Sequence, residues 1–285
     1  GAGIYQINMV VDTILVSLVG TGAISWLYYA NRLQQLPLGV VGAAISVALL
    51  PILSKQLKAG DKEESAKSQN KAVEYGALLS FPAAVMMIVL ATPIINILFE
   101  HGKFNAEDTA MTAMAVRAYS IGLPCYVLVK ALMPNFFARG DTVTPVKYSA
   151  VVFLTNLIAC LLLMKTFGHV GIATATTIAA FVSLAQYVHG LKKRGFWQLT
   201  PELCVKMLKI AFCSVLMGAM ICAAEFGLNS VIGNWLQYGA LLKLCLLGAF
   251  GIFGLATFLI MAKITNVLDI SEVLKLLYKR GKHAK

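Results

Sequence analysis

Eight apolar segments, each about as long as a helix that spans a bilayer, follow one another along this chain. They occupy roughly residues 4–22, 24–54, 72–99, 108–138, 144–166, 170–190, 203–226 and 236–262. A helix needs about 20 apolar residues to cross the hydrocarbon core. The apolar residues run continuously instead of alternating, which excludes a closed barrel. The sequence therefore predicts an all-α, polytopic integral membrane helix bundle. The second and fourth segments are long, so we expect bends at Pro37 and Pro124.

The composition agrees with a chain that lies largely within a bilayer. Of its 285 residues, 59% are hydrophobic and 13% are charged, whereas a soluble domain has about 25% charged residues. The net charge of +11 does not indicate nucleic-acid binding, because the basic residues cluster at alternate helix ends. The six cysteines lie inside apolar segments without CxxC spacing, which favours packing thiols over disulfides or a metal site.

The basic residues indicate the orientation of the chain in the membrane. Eighteen of the 24 lysines and arginines lie in stretches that fall on one side of the predicted bundle. These stretches are 55–71, 139–147, 192–209 and 263–285. Because positively charged loops stay in the cytoplasm, we expect the first helix to start there and the chain to end there.

Arg32 is the most informative polar residue within the spans. It lies about eight residues into the second segment, which is ~12 Å deep at 1.5 Å per residue and past easy snorkelling reach. Tyr28, Tyr29 and Gln35 fall on the same predicted helix face. An ionisable residue at such a depth needs a partner or a wet cavity.

Two further cations, Arg117 and Lys130, lie in the fourth segment, whereas Asp12 is the single acid predicted to be buried. Guanidinium groups bind phosphate bidentately, so the excess of cations favours an anion-binding cavity. Alternatives stay open at this point. Arg32 pairs with Asp12 in one of them, and in the others Arg117 is solvated at the outer mouth and Lys130 snorkels.

Asp12, Asn156 and Thr176 indicate a second kind of site. Carboxylate, amide and hydroxyl oxygens are the ligands that a Na⁺-like cation needs, and these three residues lie in apolar segments. Polar contacts between helices are the alternative interpretation of the same residues.

Signatures of enzymes are missing from the sequence. It has no HExxH, no GxSxG and no nucleotide-binding glycine motif, and its four histidines lie at predicted loops or helix ends. The sequence therefore predicts that the protein is not an enzyme.

Several stretches carry a resemblance to a known family. They are "QINMVVDTILVS", "YYANRLQQLPLGVVGAAISVALLPILSK", "LFEHGKFNAEDTAMTAMAVRAYSIGLP" and "NFFARGDTVTPVK". These stretches resemble the second half of the MurJ/MviN lipid II flippases, of the multidrug/oligosaccharidyl-lipid/polysaccharide exporter superfamily. The resemblance covers nearly the whole chain.

The resemblance implies fourteen helices in the family, of which this chain would supply the seventh to the fourteenth, without the N-terminal six-helix half. It implies that Arg32 faces the central cavity and is needed for lipid II transport. It also implies that Asp12, Asn156 and Thr176 are counterparts of a sodium site. Gln35 and Cys160 stand where the family often has acids, so the pattern is not complete.

The resemblance further implies that residues 1–200 form the C-terminal lobe of the transporter core, and that residues 201–263 form two additional helices with a groove for the undecaprenyl tail. Residues 264–285 alternate apolar and basic residues at helical spacing, which predicts a cytoplasmic amphipathic tail on anionic lipid, with a solvated cap as the alternative. The expected function is transport of lipid II across the bacterial inner membrane by alternating access, in contact with membrane lipids. The alternatives are a cation-coupled multidrug exporter and a non-transporting scaffold for cell-wall enzymes.

Overall fold

The structure is a computed structural model that describes residues 13–267, and every regular element in that range is helical. Residues 13–17 are helical. They are followed by α1 (Ala23–Pro37), α2 (Ala43–Lys58), α3 (Lys62–Val89), α4 (Ala91–Phe99), α5 (Ala106–Phe137), α6 (Val143–Lys193), α7 (Pro201–Ile232) and α8 (Ala240–Ile264). The predicted all-α membrane bundle is confirmed.

The second predicted span is one continuous helical rod. A π-helical turn, Leu38–Gly42, joins α1 to α2, so helix extends from Ala23 to Lys58. Pro37 lies directly before this turn. Proline has no N–H group to donate, and the wider i→i+5 pattern of a π-helix accommodates the missing bond. The structure thus has a π-helical turn where the sequence predicted a bend, and a bend and a hinge role for Pro37 stay predictions.

The fourth predicted span, α5, is the centre of the bundle. In its most apolar stretch 72% of the residues are buried, against 17–33% in the other spanning helices. The helix passes through Pro124 and Pro134 without a break. It packs between α3, α6 and α1. A hinge role for Pro124 also stays a prediction.

The third predicted span is broken near one end. Helix α3 ends at Val89 and α4 begins at Ala91, with Leu90 at φ −91° and ψ 13° between them. Pro93 follows in the first turn of α4, where its missing N–H is tolerated. At the other end of α3, the Asp61 carboxylate accepts a hydrogen bond of 2.9 Å from the N–H group of Glu64 and caps the helix.

Helix α6 is a hairpin of two spans. Gly168 lies inside it with φ 57° and ψ −133°, which are not helical angles. The rings of Tyr148 and Tyr187, near opposite ends of the sequence of α6, lie 5.3 Å apart, so the two halves are antiparallel. A Cβ atom on Gly171 would lie 2.4 Å from the carbonyl oxygen of Leu163, which shows how closely the turn folds back. The two predicted spans 144–166 and 170–190 correspond to these halves.

Helix α7 packs against α3, and α8 packs mainly against α7. Lys206 of α7 forms a salt bridge of 2.9 Å with Glu74 of α3, and the Trp197 indole donates to Asn70. A Cβ atom on Gly218 would lie 2.5 Å from a methyl carbon of Val85. Both helices also expose large apolar side chains, as a surface against lipid does. These exposed residues include Leu208, Phe212, Phe226, Leu241 and Ile252.

Candidate functional site

Arg32 lies on the exposed face of α1, within a helix long and apolar enough to span a membrane. Its guanidinium carbon is 5.0 Å from the centroid of the Tyr28 ring, a distance at which a cation is attracted to an aromatic face. Among residues 13–267, Arg32 forms neither an ion pair nor a hydrogen bond. The alternative pairing with Asp12 concerns a residue outside this range.

The three residues predicted to share a helix face with Arg32 make different contacts. Tyr28 is 53% exposed beside the guanidinium. The Tyr29 ring instead packs against Phe99 at 4.6 Å and Phe104 at 5.5 Å between centroids, which holds α1 against the end of α4. Gln35 donates a hydrogen bond to Asn31, one helical turn back. The structure thus brings Tyr28 to Arg32, and Tyr29 contributes to packing.

The Arg117 side chain donates hydrogen bonds to residues on both sides of the break in the third span. Its Nε donates to the carbonyl oxygen of Ile88 at 3.3 Å, and its Nη2 donates to the Thr92 hydroxyl at 2.9 Å. In an unbroken helix the Ile88 carbonyl would accept from the N–H four residues on, at Thr92. The guanidinium thus joins the last turn of α3 to the first turn of α4. Neither sequence interpretation of Arg117 included this contact.

The Lys130 side chain lies against the π-helical turn of the second span, at Gly42. A Cβ atom on Gly42 would lie 2.5 Å from the Cδ of Lys130, so the aliphatic stem lies directly on the glycine. Within the described part of the chain, the Lys130 ammonium has no hydrogen-bonding or ionic partner. Lys130 and Arg32 therefore differ from Arg117, whose guanidinium is occupied.

The residues predicted to bind sodium form an incomplete set in the described range. Asn156 is buried, and the Cys160 thiol approaches its side-chain oxygen at 3.8 Å. The Thr176 hydroxyl donates to the Ile172 carbonyl at 3.1 Å, and the Thr176 carbonyl accepts from the Tyr126 hydroxyl at 3.0 Å. Asp12, the predicted carboxylate ligand, lies outside residues 13–267. The described range thus holds two of the three predicted oxygen ligands, and the sodium site stays a prediction.

A polar cluster that the sequence interpretation missed joins α5 to the two ends of α6. The Asp141 carboxylate accepts from the Thr144 N–H at 2.9 Å and forms a salt bridge with Arg194. The Arg194 guanidinium also donates to the Thr144 hydroxyl at 2.6 Å. Hydrogen bonds from Thr144, aided by the charge of Arg194, lower the pKa of Asp141 to about 2. The RGDTVTP stretch, quoted above for its resemblance, carries three of these contacts.

A second part of this cluster continues into α3. The Arg139 guanidinium lies 4.3 Å from the centroid of the Phe196 ring and donates to the Asn135 carbonyl at 3.0 Å. The buried Asn135 side chain donates to Gln69 at 3.1 Å. Burial lowers the pKa of Arg139. These contacts satisfy buried polar groups where three helices end, so the cluster has a structural role.

Comparisons with known proteins agree on one family. The family model "Lipid II flippase MurJ" matches residues 1–247. The probable lipid II flippase MurJ of Rickettsia prowazekii is 37% identical over 278 residues, which are 96% of this chain and 53% of that protein. The corresponding protein of Rhizobium meliloti is 38% identical, over 78% of this chain and 41% of its own. The lipid II flippase MurJ of Burkholderia cenocepacia is 30% identical, over 85% and 48%.

Solved structures agree with the sequence comparisons. A structure of "Lipid II flippase MurJ, inward closed conformation" has a TM-score of 0.77 and 28% identity, and the match covers 92% of this chain and 51% of that one. A crystal structure of a MATE transporter mutant matches at a TM-score of 0.60 and 18% identity, over 90% and 60%. The second likeness concerns the fold alone. The chain spans about half the length of the curated relatives it matches.

Proposed function

The chain belongs to the MurJ lipid II flippase family, and on that premise we propose that it forms the C-terminal part of a lipid II flippase. The substrate would be an undecaprenyl-pyrophosphate-linked disaccharide-pentapeptide. It would pass from the cytoplasmic to the periplasmic leaflet of the bacterial inner membrane, for use in cell-wall synthesis. An N-terminal six-helix half would complete the cavity, and the two halves would rock about it in alternating access.

The observation that carries this proposal is the exposed guanidinium of Arg32, which has no ion pair or hydrogen bond within residues 13–267. Placing an arginine at the centre of a spanning helix costs about 2.5–3.5 kcal/mol on insertion scales. A side chain that is kept at this cost without an acidic partner in the described range is available to a ligand. Guanidinium presents a planar set of donors that matches two phosphate oxygens at once, and a pyrophosphate is the anionic group of the proposed substrate.

The surrounding residues have distinct roles in this proposal. The Tyr28 ring restrains the guanidinium through its negative face, and Lys130 adds a second positive charge to the cavity. Arg117 acts indirectly, since its contacts hold the joint between α3 and α4. The apolar outer faces of α7 and α8 would provide the groove for the undecaprenyl tail, where small residues leave room for an acyl chain. No step requires a sodium ion.

The proposed activity is transport without covalent chemistry. The positive-inside rule supports a cytoplasmic location for the C-terminus and for the stretches 55–71, 139–147 and 192–209. The test is a reporter enzyme that works only in the cytoplasm, joined after Lys285 in the full-length protein. The reporter should be active if this orientation is right.

Complementation tests the role of Arg32. In the full-length protein, Arg32→Ala should fail to support growth of a flippase-depleted bacterium, and Arg32→Lys should fail as well if bidentate geometry is needed. Leu36→Ala, one turn further along the same helix, is the matched control because Leu36 is 65% exposed and apolar. Normal growth with a well-expressed Arg32→Ala variant would refute the role.

The two alternatives predict different results. A cation-coupled multidrug exporter would need carboxylates to attract its substrates, whereas the cavity candidates in the described spans are cations. A scaffold for cell-wall enzymes would tolerate Arg32→Ala and Lys130→Ala and would be impaired by changes in the loops. Testing both kinds of variant in the same strain separates the three functions, which a shared fold does not.

A further inference from the structure

We propose that Gly42 is a positioning residue for Lys130, and that the π-helical turn Leu38–Gly42 forms a slot through which the lysine stem reaches the cavity. This inference rests on the proposed function for the role of the ammonium. The geometric part stands on the contacts between the two residues. It assigns a transport role to a glycine that would not itself touch the substrate.

The first observation is the closeness of the two residues. A Cβ atom on Gly42 would lie 2.5 Å from Lys130 Cδ and 3.5 Å from Cε, and 3.6 Å from a Leu38 methyl carbon. Real Cβ atoms do not come within 3.0 Å of another carbon atom. Any side chain at position 42 would therefore have to displace the middle of the lysine stem and not merely its mobile tip.

The second observation is the difference between the two glycines of the same turn. Gly42 is buried, whereas Gly39 is exposed and has open space where its Cβ would be. Glycine disfavours helical structure wherever it occurs, because it loses the most backbone freedom. Helix propensity thus explains the presence of neither glycine. The lysine stem does explain why position 42 has no side chain.

The third observation concerns the ammonium group. Lys130 follows Leu123 and Val127 along the face of α5 that packs on Leu38, Val41 and Ile45. Its stem is held between apolar groups, while its charged end has no partner among residues 13–267. A lysine held along its stem loses rotamer freedom before any ligand arrives. Such preorganisation strengthens binding of an anion, since the ordering is not repeated on binding.

A cycle of variants in the full-length protein tests the proposal. The variants are Gly42→Ala, Gly39→Ala, Lys130→Ala and the double variant Gly42→Ala/Lys130→Ala. Two properties are measured: the affinity of the purified protein for lipid II in detergent, and its thermal unfolding. Lys130→Ala removes the Cδ that Gly42→Ala would strike, so it should cancel any effect of the alanine at position 42.

The expected result is a matched loss of binding. Gly42→Ala and Lys130→Ala should each weaken lipid II binding by about tenfold or more, the size of a lost charge-assisted hydrogen bond. The double variant should bind no more weakly than Lys130→Ala alone, and Gly39→Ala should bind like the unaltered protein. If Gly42→Ala does not fold, recovery of folding in the double variant supports the slot.

Three results would overturn the proposal. The first is unchanged binding in Gly42→Ala. The second is a double variant that is weaker than Lys130→Ala by the same factor that Gly42→Ala shows alone. The third is a double variant that stays unfolded along with Gly42→Ala. If instead the unaltered protein binds no lipid II, the proposed function fails, and the unfolding cycle still decides whether Gly42 accommodates Lys130.

Discussion

Arg117 on α5 donates a hydrogen bond to the carbonyl oxygen of Ile88 on α3, at 3.3 Å, beside the break in the third span. In a bilayer no water is available to the backbone carbonyls beside such a break. This contact gives the Ile88 carbonyl a charged donor from a neighbouring helix. It also fixes the position of α4, whose Thr92 hydroxyl accepts from the same guanidinium.

Replacing Arg117 should therefore lower the stability of the folded protein. Arg117→Met keeps the length of the stem but removes the charged donor to the Ile88 carbonyl, and we expect a loss of about 1–3 kcal/mol. Thr92→Val is the matched control, because it removes only the second partner and should have the smaller effect. Unfolding of the purified protein in detergent measures both variants. Equal stability of Arg117→Met and the unaltered protein would show that the contact contributes nothing.

The hairpin of α6 should not tolerate a methyl group at Gly171. An alanine Cβ there would lie 2.4 Å from the backbone oxygen of Leu163, and a backbone atom cannot rotate away as a side chain can. Overpacking of this kind costs about 1–3 kcal/mol. Gly248→Ala on α8 is the control, since its Cβ would meet open space and alanine favours helix. Thermal unfolding should rank Gly171→Ala well below Gly248→Ala, and the reverse order would contradict the close turn.

Exchanging the charges of Lys206 and Glu74 should restore the stability that either single exchange removes. Lys206→Glu places two carboxylates together and should destabilise the contact between α7 and α3, and Glu74→Lys should do the same. The double exchange should recover most of the loss. Because the side chains are 44% and 22% exposed, the coupling energy should be modest, about 0.2–1 kcal/mol. A double-mutant cycle measures it, and additive effects of the two exchanges would exclude coupling.

The Asp141 carboxylate should make stability depend on pH in the acid range. Its pKa is about 2, below the ordinary value of 3.8, so the unfolded chain binds the proton more readily. The stabilisation is therefore complete above the ordinary value and is lost as the pH falls towards about 2. Comparing unfolding at about pH 6 and about pH 3 should show a smaller difference in Asp141→Asn, which does not titrate.

The same variant separates the two kinds of contact made by Asp141. Asparagine retains an oxygen that accepts from the Thr144 N–H and loses the charge that pairs with Arg194, whereas Asp141→Ala loses both. Asp141→Ala should hence be the less stable of the two at neutral pH. If both variants kept the full acid sensitivity of the unaltered protein, another carboxylate would be responsible.

The amino-acid sequence by itself determined where this chain crosses the membrane. Crossing depends on the hydropathy of about 20 contiguous residues, which is a local property. The two spans of the α6 hairpin and the irregularity after Pro37 could therefore be read from neighbouring residues. The sequence also identified Arg32 as an ionisable residue deep within a predicted span, because the position of a charge along an apolar segment is visible without any knowledge of packing.

Tertiary structure alone decided which polar groups have partners. Arg117 bonds to Ile88, 29 residues away, and Lys130 lies on Gly42 in another helix. Tyr29, assigned by its spacing to the face of Arg32, packs on Phe99 and Phe104 instead. Such pairs depend on how helices approach and rotate against one another. Within lipid, the arrangement of helices results from close packing and interhelical hydrogen bonds rather than from hydropathy. The pattern of apolar residues therefore does not predict which side chains meet.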